Sequence, residues 1–144
     1  MELNDKDAAC YVCGAQNPLG LKVPFVPYGE NGSRARYTAR KEHAGWKNIL
    51  HGGVTFALMD EALGWSLYFQ GLRGVTAKTE VRFRAPILVG TPLVITAFTR
   101  ERARRIVRAR AEVRREDENS ELLAEVNATM YLIEDVQLNA DRQC

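Results

Sequence analysis

Asp60 lies inside the apolar stretch that runs from Val54 to Phe69. A carboxylate there is disfavoured by desolvation unless it meets a partner or a water-filled cleft, and burial raises its pKa toward the range useful to a general base near neutrality. Glu61 stands beside it, and residue chemistry alone offers either as the functional group or as a surface residue. His51-Gly52-Gly53 opens the same stretch, with Gly53 seven residues before Asp60. Two glycines at a helix entry let a ligand approach the backbone closely. The unpaired N–H groups of the first turn, at the positive end of the helix dipole, can then hold a developing oxyanion. On this reading Gly53 N–H is the oxyanion donor and Gly52 borders the substrate; the alternative is a tight turn packed on a sheet. His51 either orients that turn or contacts the reacting group, with no second His placed to make a base pair.

Seven helical residues are two turns, so Gly53 and Asp60 share a face but sit ~10 Å apart along the axis. One helix cannot easily present both to a single carbonyl. The spacing therefore predicts a site assembled across a two-fold interface, with the N–H from one subunit and the carboxylate from the other.

The elements that must position these groups are legible as a run of patterns. The stretch after His51 is rich in helix formers, is stopped by Gly71 and is apolar nearly all round, which predicts one helix of about 18 residues buried on most faces. Leu19 to Pro27 and Ser33 to Ala39 flank an Asn-Gly turn and predict a hairpin whose first strand, carrying Pro24 and Pro27, lies at a sheet edge. After Gly74, Ala77, Thr79, Val81, Phe83 and Ala85 alternate with charged residues. Strands also follow at Leu93 to Thr99, Val107 to Val113 and Ala124 to Leu132. Short connections predict an antiparallel sheet with sequential neighbours. The fold class expected is α+β: a curved antiparallel sheet of about six strands around one long buried helix.

Two further features invite chemistry. Cys10-x-x-Cys13 is either half a zinc site or a structural feature of the N-terminal segment, and the remaining Cys/His candidates, His43, His51 and Cys144, show no ligand spacing. Between Arg100 and Arg115 lie eight arginines and two glutamates. Strand alternation puts Arg108, Arg110 and Arg114 on one face, where they either bind phosphate or form a solvated surface balanced by Glu112 and the Glu116 to Glu121 cluster.

The sequence resembles the hotdog-fold acyl-CoA thioesterases. The resemblance rests on His51-Gly52-Gly53 with Asp60, on Cys10-Tyr-Val-Cys13-Gly14 followed by Asn17-Pro18-Leu19-Gly20-Leu21, on Asp60 to Trp65, and on Val81 to Pro86. Within that superfamily it is similar to the phenylacetyl-CoA thioesterases with a His-Gly-Gly and a downstream Asp, although Gly45 stands where many of those carry a polar residue. The resemblance implies a hotdog fold, selects Asp60 over Glu61 as base or nucleophile, and implies a dimeric arrangement. It also puts Thr76 where some relatives use a Ser or Thr to position water. Asn48, Gly52, Glu61 and Arg84 are the substrate-binding candidates, with Asn48 as a carbonyl ligand and Arg84 as a contact for coenzyme A. Trp46, Phe56, Met59, Trp65 and Phe69 either line an acyl pocket or form core.

Hydrophobic residues make up 46% of the 144 residues and charged residues 26%, the composition of a packed globular domain. The chain is expected to be a single hotdog domain over 1–144, with an N-terminal segment over 1–18 and a tail over 135–144. A formal charge of +2 gives no general drive toward nucleic acid. The charged N-terminus lacks a secretory signal, the apolar run is too short to span a bilayer, and three cysteines suit a reducing compartment, so a cytoplasmic location away from membranes is expected. The expected activity is hydrolysis of an acyl-CoA by a homodimer or dimer of dimers. It needs no cofactor and no metal, because a thioester is already activated. The alternatives are a non-catalytic acyl-CoA or lipid-binding hotdog domain, an RNA- or DNA-binding module using the arginine strand, and a hotdog dehydratase, whose usual His-carboxylate pair is not evident.

Overall fold

The computed structural model describes residues 8–133. The expected tail over 135–144, with Cys144, and the first seven residues of the N-terminal segment lie outside them. Six strands form one sheet: β1 (Val26–Tyr28), β2 (Gly32–Thr38), β3 (Gly74–Phe83), β4 (Pro92–Ala103), β5 (Ile106–Arg115) and β6 (Leu122–Leu132). A 3-10 turn (Lys41–His43) and the helix α1 (Gly52–Tyr68) lie between β2 and β3. The three-residue β1 sits at a sheet edge, as Pro27 within it favours. Every pairing is antiparallel.

Strand order corrects the sequence reading. It is β1-β2-β4-β5-β6-β3, so β3 neighbours neither β2 nor β4 but pairs with β6 at the far edge. The physical reason lies in the helix. Seventeen helical residues reach about 25 Å, enough to carry the chain past the roughly 5 Å strand spacings between β2 and the opposite edge. The α1 helix packs against β2, β3, β4, β5 and β6. Its Leu58, Met59, Leu63 and Leu67 meet Leu93, Ile95, Val107, Val113, Leu123, Val126 and Met130 in one core cluster. Val12, Cys13, Leu21, Val23 and Phe25 of the N-terminal segment join the same cluster. A helix without a polar face is thus buried from more than one side, in the hotdog arrangement.

A second correction concerns β3. The alternation read from sequence put Ala77 inward, but the pairing with β6 shifts between Thr76 and Lys78. Ala77 is the exposed extra residue and Thr76 is half-buried. Because side chains alternate with period two, this single insertion turns Thr76 to the same side as Thr79 and Val81.

Candidate active site

The bulge brings Thr76 to Asp60. Thr76 Oγ1 donates to Asp60 Oδ1 at 2.6 Å, a short charge-assisted bond that fixes the carboxylate's orientation. Both residues are half-buried. Asp60 Oδ2 has no hydrogen-bond partner among the described residues, so it is open to a water or a substrate atom. Glu61 leaves the helix about 100° further round. It faces the N-terminal segment instead, accepting from the Cys10 thiol at 3.7 Å. The two adjacent carboxylates therefore serve different places.

At the helix entry His51 is the N-cap, and Gly53 N–H donates to its Nδ1 at 2.8 Å. Accepting that bond requires Nδ1 to be unprotonated. Val54 N–H and Thr55 N–H both reach the His51 carbonyl. The first-turn N–H left without an acceptor among the described residues is that of Gly52, on the exposed end of the helix beside Phe83, whose ring atoms lie 3.7 Å from where a Cβ on Gly52 would sit. The donor assigned from sequence, Gly53, is thus already engaged by His51.

Upstream, the turn that delivers the chain to His51 explains Asn48. It adopts a left-handed φ of 63°, tolerated by Asn better than by most residues. Ile49 N–H closes onto the Trp46 carbonyl, and Asn48 O accepts from Val89 N–H. Its side chain is exposed, and its observed role is that of a turn residue. Below the turn, buried His43 meets Tyr37 Oη through Nδ1 at 2.7 Å, while its carbonyl accepts the His51 N–H. Burial, with a smaller contribution from Arg40, lowers the His43 pKa below its ordinary value.

Arg84 is engaged within the sheet. Its Nε and Nη2 grip both oxygens of Glu125 at 2.9 and 3.1 Å. Arg110 Nη2 reaches the same carboxylate at 3.1 Å and also Glu112, whose other oxygen holds Arg114 Nε at 2.8 Å. Glu125 is consequently held at a pKa of about 2, chiefly by the Arg84 hydrogen bonds. The arginine-rich face is therefore a cross-strand lattice of alternating sign. Glu125, buried on β6, is the residue sequence reading missed, because its place opposite Arg82 and Glu112 depends on strand pairings that no local pattern gives.

Of the aromatic and Met candidates, Met59 and Trp65 are core, with Trp65 stacked on Phe69 at 5.1 Å and edge-on to Tyr68 at 4.8 Å. Phe56 is half-buried, and Trp46 is 83% exposed on the turn before His51. No helix among the described residues is long and apolar enough to cross a membrane.

A model of the thioesterase superfamily matches residues 47–121, just over half of the chain, from the turn before His51 through the loop after β5. The chain belongs to the thioesterase superfamily. An uncharacterised Schizosaccharomyces pombe protein is 32% identical over 66 residues, 44% of this chain and 38% of that protein. A crystal structure of a thioesterase superfamily protein superposes with a TM-score of 0.77 at 24% identity, covering 85% of this chain and 61% of the other. The chain thus spans less than two thirds of the length of both. A Streptococcus mutans structure bound to acetyl CoA superposes with a TM-score of 0.71 at 17% identity, covering 77% of this chain and 88% of that one. At these identities the superpositions show the hotdog fold.

Proposed function

We propose that the protein hydrolyses an acyl-CoA thioester to the free acid and coenzyme A. The observation that carries the reading is the Thr76–Asp60 bond at 2.6 Å, in a chain of the thioesterase superfamily. Thr76 holds one carboxylate oxygen, and the other faces the reacting centre as a base toward water or as a nucleophile toward the thioester carbonyl. In the base form Asp60 takes a proton from the attacking water and returns it to the departing thiolate. That an S. mutans protein of this fold is seen with acetyl CoA supports a coenzyme A thioester as the substrate class.

The oxyanion donors stand two turns from Asp60, so they come from the partner subunit. Strand β3 supports this arrangement: it ends the sheet with one edge unpaired among the described residues and carries exposed Val75 and Phe83. Two β3 strands side by side continue the sheet across a two-fold axis and bury both residues. Gly52 N–H then receives the carbonyl oxygen directly, and Gly53 N–H joins once the oxygen displaces the His51 ring. In this reading His51 keeps the donor oriented between turnovers.

Thiol release measured across short, long and aromatic acyl-CoAs tests the proposal. Turnover that survives in Glu61→Gln and falls by about two orders of magnitude or more in Asp60→Asn supports it. Saturable acyl-CoA binding without thiol release would favour a non-catalytic binding domain, a reading to which the engaged Gly53 N–H lends some weight.

A further inference from the structure

Two features singled out in the sequence are not absorbed by hydrolysis. The Cys10-x-x-Cys13 pair offers no metal half-site: Cys13 is disulfide-bonded and Cys10 is the free thiol among the described residues, contrary to the expectation of reduced cysteines. The arginine run divides in two. Arg110 and Arg114 are held in the lattice on the sheet face, whereas Arg102, Arg104 and Arg105 stand at the tip of the β4–β5 hairpin.

That tip lines a cavity of about 820 Å³ together with Arg73, Ile106 and Tyr131. The Arg105 carbonyl accepts Leu132 N–H at 2.7 Å, and the Arg73 carbonyl accepts Ile133 N–H at 2.9 Å. Backbone bonds to the end of β6 thus fix where two of the four arginines start. The Arg73 side chain is also held, with its guanidinium 3.7 Å from the centroid of the Tyr68 ring and its Nη1 donating to the Leu72 carbonyl at 3.1 Å. Arg102 and Arg104 are exposed and have no ion-pair partner among the described residues. Arg104 adopts a left-handed φ of 55°, where Gly or Asn is the ordinary turn residue. An arginine there gives up local ease for a positive charge at the cavity. Tyr131 and Ile106, 49% and 42% exposed, supply an apolar wall, and the described lining carries no acidic side chain.

We infer that this cavity binds nucleotide phosphates and, resting on the acyl-CoA thioesterase reading, that it takes the nucleotide end of coenzyme A. Guanidinium groups match phosphate oxygens in bidentate pairs, and the exposed Tyr131 ring beside them offers a face to the base. The helix end does not oppose an anion here, because the Leu67 and Tyr68 carbonyls are capped by Leu72 and Gly71 N–H. The position also suits the substrate. Arg73 stands three residues before Thr76, about 10 Å along an extended chain, in the same subunit as Asp60. A thioester with its carbonyl at Asp60 carries its phosphates at the far end of the pantetheine arm, toward the start of β3. The cavity therefore makes the chain favour acyl groups on coenzyme A over the same groups on bare pantetheine.

Free coenzyme A, which has no acyl group to lose, tests the cavity by calorimetry without turnover. The full chain is expected to bind one equivalent, about tenfold or more tighter than pantetheine, and Arg102→Ala with Arg104→Gly to remove that difference. Glycine suits the left-handed turn, so the double variant keeps its fold, which thermal unfolding followed by circular dichroism checks. Thiol release from acetyl-CoA and acetyl-pantetheine is then compared. The wild-type preference for acetyl-CoA in kcat/KM is expected to fall by about tenfold or more in the variant. A chain that binds coenzyme A through these arginines but releases no thiol from either substrate overturns the hydrolysis reading and supports the cavity. The cavity proposal is overturned if pantetheine binds as tightly as coenzyme A, if the variant leaves the coenzyme A affinity unchanged, or if ATP binds more tightly than coenzyme A, which would make this a site for a free nucleotide.

Discussion

At the scale of single residues, the proposed chemistry turns on Asp60 Oδ2, the oxygen without a hydrogen-bond partner among the described residues. Thr76 contributes one hydrogen bond to a charged group, a contact of about 1.5–3 kcal/mol. Thr76→Val is therefore expected to lower kcat by about tenfold or more with KM little changed, and Asp60→Asn to lower it by at least about a hundredfold. Steady-state thiol release on both variants separates positioning from chemistry. Two other side chains control response to acid. His43 has a lowered folded pKa, so at pH above its ordinary value of 6.5 both folded and unfolded chains hold it neutral. As pH falls below that value only the unfolded chain takes up the proton, and stability drops. Glu125 acts lower: its contribution is present above its ordinary 4.5 and is lost as pH falls through about 2. Chemical denaturation followed against pH should show both decrements, with His43→Gln removing the first and Glu125→Gln the second.

At the scale of elements, α1 and the strands were readable because hydrophobic period survives burial: 3.6 for the helix, two for the strands. The place of β3 was not, because pairing partners depend on where the helix delivers the chain and not on any local pattern. The bulge at Ala77 was hidden for a related reason. Alternation on both sides of it looks regular, and only the ladder with β6 reveals that one residue is extra. Asp60 and Thr76 could each be singled out from sequence, but their contact depends on Ala77 being bulged out of the ladder. Deleting Ala77 restores an even ladder in which Thr76 stands two positions before Thr79 and so stays on the helix side. Such a variant is expected to retain its far-ultraviolet circular dichroism and to keep thiol release well above the level of Thr76→Val, since the hydroxyl still faces Asp60. Leu58, fully buried on α1, gives the contrasting case: Leu58→Ala is expected to cost about 2–5 kcal/mol of stability in denaturant titration.

For the whole molecule, the free edge of β3 and the two-turn gap between Asp60 and the helix entry point to the same assembly. The chain is expected to sediment as a dimer or a dimer of dimers. Phe83→Lys places a charge on the proposed seam and should shift the mass toward monomer, with activity falling in proportion as the protein is diluted. A monomeric wild type that remains fully active would remove the shared-site mechanism. The Cys10–Glu61 contact was similarly invisible from sequence, since it joins the N-terminal segment to mid-helix only after both have packed on the core. Order of synthesis adds a temporal consequence to the sheet order. Val81 pairs with Val126, so a growing chain must keep β3 without the neighbour it has among the described strands while β4 and β5 are made. Strands β2, β4 and β5 can assemble beneath α1 during that interval, but the strand that carries Thr76 is anchored last. Until Leu122–Leu132 leaves the ribosome, a nascent chain holds most of its core without the anchored Thr76 of the proposed site, with exposed Val75 and Phe83 on an edge that a chaperone or a second nascent copy can meet first.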